Sequence, residues 1–300
     1  MEYRIGERQF AAESRYLTLE LRASNDVLDE PDALRHRLAE DGYLLLRGVH
    51  DPAEVLTARQ DILRRMGEDG LLDPACPLMD GVAHPASRET PTTSVRARER
   101  LKTPALATVV YGDRIMRVFA RILDAPVASY QFQWLRAAGP GAATGIHCDA
   151  PYMGRGTLEV YTCWTPLGDV TPEMGPLALC LGSHRWRRVR ETYGRCDVDR
   201  DLIEGIFSRD PAELVERLGG RWATAPFRVG DVVIFGLFML HASLVNTTDR
   251  YRLSCDTRYQ RAREPMDDRW AGAAPAGHSA FWQPGALLEP VEVSRRRWGL

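Results

Sequence analysis

The sequence predicts a mainly β protein with flanking helices, on three observations. Residues 127 to 259 carry short runs rich in β-branched and aromatic residues, at 130–135, 158–165, 177–181, 222–228, 232–235, 238–243 and 252–259. Turn chemistry separates them, at Gly139-Pro140-Gly141, Gly175-Pro176, Val229-Gly230-Asp231 and Asn246-Thr247-Thr248-Asp249. Helical periodicity is concentrated in the first third and in one later insertion. Short strands at such spacing form a sandwich or a jelly roll.

The elements follow in order. A helix is expected over 31–40, where Leu34 and Leu38 recur at helical spacing before Asp41-Gly42. Tyr43-Leu44-Leu45-Leu46-Arg47 is short, apolar and bounded by glycines, as a buried strand is. A second helix opens at Asp51-Pro52-Ala53-Glu54, with Asp51 as N-cap, Pro52 in the first turn and Glu54 completing a capping-box-like pattern. Pro74, Pro77, Pro85 and Pro91 mark 67–94 as a long loop, of a kind that often covers a cleft. A helix over 104–123 follows, its buried stripe formed by Leu106, Val109, Val110, Met116 and Phe119. The helical insertion, 199–218, has its own cap at Asp210-Pro211-Ala212-Glu213. The tail after Arg261 is rich in Ala, Pro and Gly and is expected to pack irregularly on the surface. The reading is one domain over 1–300: a mainly helical part over 1–125, a β core over 126–260 with an insertion at 185–221, and a tail over 261–300.

Composition bounds the function. A net charge of −2 over 300 residues gives no electrostatic reason to expect nucleic acid or an anionic membrane as partner. Arg295-Arg296-Arg297 is the longest basic run and reads as a solvated tail. No apolar stretch approaches the roughly 20 residues of a membrane span, and Met1-Glu2-Tyr3-Arg4 begins no apolar leader. Cys76, Cys148, Cys163, Cys180, Cys196 and Cys255 show no CxxC pair, so they read as reduced thiols of a cytoplasmic protein.

The chemistry is carried by His147-Cys148-Asp149, by His241 at the end of an apolar run, and by Arg252 eleven residues further on. In a strand, residues two apart face one way, which aligns His147 with Asp149, His241 with Ser243, and Arg252 with Ser254. Two imidazoles and one carboxylate cap one face of an octahedral metal and leave three positions open, as in non-haem Fe(II) oxygenases. Such a site is net positive and suits a chelating 2-oxo acid, with one position left for O2. The far carboxylate of that acid needs a bidentate cation, and Arg252 supplies one. Each residue alone has a plainer reading: a chance HxD, a core histidine, a surface arginine beside Asp249. Their conjunction on expected strands favours the metal site. His36, His50, His84 and His278 read as surface, and His184 as structural, though it competes with His241 for the third ligand position. Arg155 reads as a loop arginine in water, with a substrate anion as the sharper alternative.

With these residues in view, the chain resembles the phytanoyl-CoA dioxygenase family of Fe(II)/2-oxoglutarate oxygenases from Asp41-Gly42-Tyr43 to about Tyr259. The most specific stretch is Cys163-Trp164-Thr165-Pro166-Leu167-Gly168-Asp169-Val170-Thr171-Pro172-Glu173-Met174-Gly175-Pro176-Leu177, followed by Gly182-Ser183-His184. Gly230-Asp231-Val232-Val233 is similar too, while Met174 stands where the family usually has Asn. The resemblance implies a double-stranded β-helix core of jelly-roll, cupin-like type. It implies iron ligands His147, Asp149 and His241, a 2-oxoglutarate anchor in Arg252, and an assisting hydroxyl in Ser243. It also implies contacts from Trp164 and Thr144 to the co-substrate, Trp164 reading equally well as a core aromatic. The expected reaction is hydroxylation of a small molecule with release of succinate and CO2; desaturation, epoxidation and cyclisation stay open. Two other classes remain beside it, a non-catalytic jelly-roll binding module and a zinc hydrolase built on the same triad.

Overall fold

The computed structural model describes residues 1–87, 102–281, 283 and 285–300. Strands are numbered in chain order. A hairpin of β1 (Glu2–Ile5) and β2 (Arg8–Ala11) opens the chain, and β3 (Leu17–Thr18) follows. Helix α1 (Pro31–Asp41) ends at Gly42, whose φ of 78° is the left-handed cap glycine adopts freely. Next come β4 (Tyr43–Leu46) and α2 (Pro52–Glu68). Asp51 caps α2, its side chain accepting from the Ala53 N–H.

The expected 104–123 helix is two helices, α3 (Pro104–Tyr111) and α4 (Asp113–Leu123). Gly112 between them is extended, with φ −70° and ψ 166°, and Thr103 caps α3 by accepting from Leu106 N–H. Then β5 (Val127–Ser129), β6 (Trp134–Ala138), the short α5 (Ala150–Met153), β7 (Tyr161–Pro166) and β8 (Leu177–Leu181) follow. The insertion holds three short helices, α6 (Arg187–Glu191), α7 (Val198–Asp201) and α8 (Pro211–Glu216), rather than one over 199–218. Asp210 caps α8, accepting from Ala212 N–H. The chain closes with β9 (Arg221–Ala223), β10 (Val232–Gly236), β11 (His241–Ser243), β12 (Arg252–Arg261) and α9 (Val291–Arg297).

Two sheets form the core. The larger runs β4-β10-β7-β12-β5, with β6 also paired to β12; the smaller runs β11-β8-β9-β3. Among the described residues they are separate sheets and do not close into a barrel. The all-apolar run of β4 is explained by burial on both faces. Leu44 and Leu46 pack against helices with Leu34, Leu38 and Phe119. Tyr43 and Leu45 face the small sheet with Leu179, Phe227 and Phe235. Val55, Ile62, Leu106 and Val109 of α2 and α3 cover Leu135, Leu253 and Cys255. Helices thus seal the outer face of the large sheet and leave its inner face to the small one.

Further expectations change. The first third, read as mainly helical with one strand at 43–47, also carries β1, β2 and β3; the hairpin bridges Ile5 to Leu244 and β3 pairs with β9. The 67–94 segment begins inside α2, and its described part pairs Leu72 with Ala83 and Val82 with Arg250; residues 88–94 lie outside the described residues. The tail is not a surface appendage, since Trp270 and Asp267 are fully buried and Trp298 packs on Tyr193. Nor is the basic run free: Arg295 pairs with Glu213, and Arg297 with Glu289. No helix among the described residues is long and apolar enough to cross a membrane.

His50 also departs from its surface reading. It is buried, its N–H bonded to Gly230 O at 3.0 Å, and its Nε2 has no partner among the described residues. Burial, with Arg114 nearby, pushes its pKa down to about 4. Unfolded histidine titrates near 6.5, so the unfolded chain binds this proton more tightly. The contribution is complete above about pH 6.5 and declines as pH falls towards 4. Urea unfolding at pH 7 and pH 5 should therefore show a smaller pH effect in His50→Phe than in the parent. Trp270→Ala should lower the unfolding free energy by about 3–5 kcal/mol, and a loss below 1 kcal/mol would return the tail to the surface.

Candidate active site

His147 and His241 meet as an isolated antiparallel bridge at the start of β11. His147 N–H bonds to His241 O at 3.0 Å, and His241 N–H to His147 O at 2.8 Å. Their rings lie side by side with centroids 4.2 Å apart. Asp149 joins them by a different route from the expected strand. Its backbone is helical (φ −78°, ψ −16°), and its carbonyl starts α5 by accepting from Tyr152 and Met153. The Oδ1 of Asp149 lies 3.9 Å from Nε2 of each histidine. An ion about 2.1 Å from each donor fits between such atoms, and all three ligand atoms lie within 4.8 Å of one another.

The remaining atoms of these side chains are tied back. His147 Nδ1 is bonded to Gly145 O at 2.8 Å and His241 Nδ1 to Met239 O at 2.9 Å. A ring whose Nδ1–H donates to a carbonyl turns the Nε2 lone pair outward, as metal-binding imidazoles require. Asp149 Oδ2 accepts from Thr162 Oγ1 at 2.5 Å and from Arg258 Nη2 at 3.0 Å, which frees Oδ1 for the metal position. Burial and the neighbouring His241 push the pKa of His147 down to about 3, so its ring is neutral. Burial alone would raise Asp149; Arg258, His241, His147 and Thr162 outweigh it and hold the carboxyl well below its usual range.

A narrow cavity extends from the triad among Thr144, Trp164, Ser243 and Arg252. Arg252 Nε donates to Gly175 O at 3.1 Å, and its Nη1 to Ser254 Oγ at 2.5 Å. Gly175 (φ 71°) must be glycine, because a Cβ would lie 2.6 Å from Leu244 O. Burial lowers the pKa of Arg252 to about 10, and the guanidinium stays charged at neutral pH. Ser243 Oγ accepts from Thr144 N–H at 2.8 Å and lies 3.1 Å from its hydroxyl. Trp164 packs edge-on to Phe227 in the core and also lies beneath Arg252, 6.0 Å from ring centre to Cζ. Six of the seven residues singled out in the sequence line this cavity, and the seventh, Asp149, lies 3.9 Å from the Nε2 atoms of both histidines.

A wider cavity of about 180 Å3 opens on the other side, lined by Trp134, Tyr152, Ile206 and Phe281 together with His147 and Asp149. A larger, more open cleft of about 330 Å3, among Tyr161, His184 and Arg190, includes none of the triad.

The profile of the phytanoyl-CoA dioxygenase (PhyH) family matches residues 38–254. The chain belongs to this family. It is 30% identical over 259 residues to 1-deoxypentalenic acid 11-beta-hydroxylase of Streptomyces exfoliatus, covering 79% of this chain and 83% of that protein. The corresponding Streptomyces arenae hydroxylase is 28% identical over 257 residues, with the same coverage of each chain. Among solved structures, the non-haem alpha-ketoglutarate-dependent carbocyclase SnoK of nogalamycin biosynthesis shares the fold at a TM-score of 0.56 and 21% identity, over 85% of this chain and 92% of that one. EctD from S. alaskensis does so at 0.57 and 19%, over 91% of each. The chain is accordingly an enzyme of the 2-oxoglutarate-dependent non-haem iron class.

In this phytanoyl-CoA dioxygenase family member several residues near the triad escaped the sequence reading. Arg136, Asp256, Arg258 and Thr162 were all missed. The available signal was the alternation Arg252-x-Ser254-x-Asp256-x-Arg258, which carries polar groups down one face of β12. The side chain of His278 is covered rather than exposed, its Nδ1 2.8 Å from Asp199 Oδ2. Asp199 also accepts from Arg269, and from the N–H groups of Ala280 and Phe281, both at 2.9 Å. Arg155 is neither free nor aimed at the cavity, since it forms a two-point pair with Asp197. His184 lies against Gly42 and Ala39, outside the triad.

Because Arg258 and Thr162 orient Asp149, Arg258→Met should weaken metal binding by about 10–100-fold, and Thr162→Val by a smaller factor. Chelator competition on the folded protein measures both; an unchanged affinity in Arg258→Met would separate that guanidinium from the site.

Proposed function

We propose that this protein, acting as a single domain, is an Fe(II)- and 2-oxoglutarate-dependent hydroxylase of a small molecule in specialised metabolism. The observation that carries the reading is the meeting of two Nε2 atoms and one Oδ1, each freed by a bond on its far side. Membership of the family and the hydroxylases of 1-deoxypentalenic acid support the same chemistry. His147, Asp149 and His241 would hold the iron. Arg252, assisted by Ser243 and Thr144, would receive the far carboxylate of 2-oxoglutarate, with Trp164 as the floor. Iron with this co-substrate supplies coupled chemistry: O2 and 2-oxoglutarate give succinate and CO2 while one oxygen atom enters a C–H bond of the substrate.

The chain's own work is positional. Arg252 is fixed by Gly175 O and Ser254, so its remaining donors present one direction to a planar carboxylate. The neutral histidines leave Asp149 as the single anionic ligand, and Arg258 keeps that charge in place without occupying Oδ1. The wide cavity would receive the substrate beside the triad, with Trp134, Tyr152 and Phe281 offering it aromatic walls. Six unpaired cysteines fit a reducing, cytoplasmic setting.

Succinate release on incubation with Fe(II), 2-oxoglutarate and O2 tests this reading. His241→Ala and Asp149→Ala should abolish it. Arg252→Gln should raise the KM for 2-oxoglutarate by about 100-fold, the loss expected when a buried charge pair loses one partner. Wild-type protein that takes up iron and 2-oxoglutarate yet forms no succinate would overturn it, as would activity restored by Zn2+ alone.

A further inference from the structure

Arg136 stands where the narrow and wide cavities meet and lines both. It lies on β6 opposite Ser254, and its Nε donates to Asp256 Oδ2 at 2.7 Å. Its two terminal nitrogens have no hydrogen-bond partner among the described residues, and the side chain keeps 22% of its surface open. Neither of the other guanidiniums in the site is available in this way. Arg252 is spent on Gly175, Ser254 and the narrow cavity. Arg258 is spent on Asp149, lies 4.1 Å over the Trp134 ring, and its unpartnered Nε and Nη1 are sealed from solvent.

Charge then identifies what Arg136 awaits. Arg136, Arg252 and Arg258 face only two carboxylates, Asp149 and Asp256, around the paired cavities. A divalent ion and a keto-acid dianion cancel each other when both are bound. One positive charge is left unmatched beside a guanidinium that is only 22% exposed, where unmatched charge is costly. An anion on the substrate removes that cost. The rest of the wide cavity, Trp134, Tyr152, Met153, Ile206 and Phe281, offers apolar surface to the body of the molecule.

We propose that the substrate is a compact, apolar-bodied acid with one carboxylate, and that this carboxylate docks on Arg136. The inference rests on the oxygenase reading above. The other source of a carboxylate at this point is 2-oxoglutarate itself, and the test distinguishes the two.

Protein loaded with Zn(II) and 2-oxoglutarate, which does not turn over, is titrated with matched pairs while the fluorescence of Trp134 and its neighbours is followed. One pair is 1-adamantanecarboxylic acid and its primary amide; the other is 1-deoxypentalenic acid and its methyl ester. Each acid should bind at least about tenfold more tightly than its neutral partner, as a charge-assisted bond to a guanidinium implies. The preference should disappear in Arg136→Gln and survive in Arg136→Lys. Arg136→Gln/Asp256→Asn leaves no unpaired carboxylate behind, so it reads the same loss without the instability of a stranded Asp256. Equal binding within the pairs, or no binding by any of them, overturns the proposal. So does a variant that keeps the acid preference and loses 2-oxoglutarate affinity, because the guanidinium then belongs to the co-substrate. Failure of wild-type protein to bind 2-oxoglutarate at all would instead overturn the oxygenase reading, and this inference with it.

Discussion

A carboxylate nearly shut off from water is the constraint around which the site is arranged. Asp149 is 2% exposed, and an ionised group there is tolerated only with partners on its remaining lone pairs. Arg258 and Thr162 provide them, and the two are direct neighbours across β12 and β7. Sheet register and metal chemistry are therefore one problem. A slip of one residue in β12 would turn Arg252, Ser254, Asp256 and Arg258 to the helix-covered face together. The helices that seal that face hold the register, because Leu253 and Cys255 are committed to the apolar side between those polar residues.

The same alternation divides labour along one strand. The start of β12 faces the narrow cavity through Arg252, its middle pairs with Arg136 through Asp256, and its far part reaches Asp149 through Arg258. Arg252, Asp256 and Arg258 thus reach three successive parts of the site from one face of a single strand. That economy explains why a short stretch of sequence carries so much of the chemistry.

Much of this was legible from residue types alone. His147, Asp149, His241 and Arg252 are unusual in combination, and the caps at Asp51 and Asp210 have local signatures that tertiary packing did not override. What stayed hidden depended on distant partners. The break at Gly112 lies between two apolar stripes that read as one. Asp149 adopts a helical backbone because α5 starts there, which a strand-period argument cannot anticipate. His50 and His278 look like surface residues in loops, and only long-range packing buries them. The tail reads as irregular surface because Ala, Pro and Gly dominate it, yet Trp270 sits in a pocket supplied by residues more than a hundred positions away, Trp134 and Tyr152 among them.

Asp199 draws His278, Arg269, Ala280 and Phe281 to a single carboxylate. A loop inserted between two strands and a segment beyond the last strand are thereby tied into one wall. Residues far apart in the chain, at 199, 269, 278, 280 and 281, share one anchoring point, and His278 and Phe281 reach the wide cavity from it.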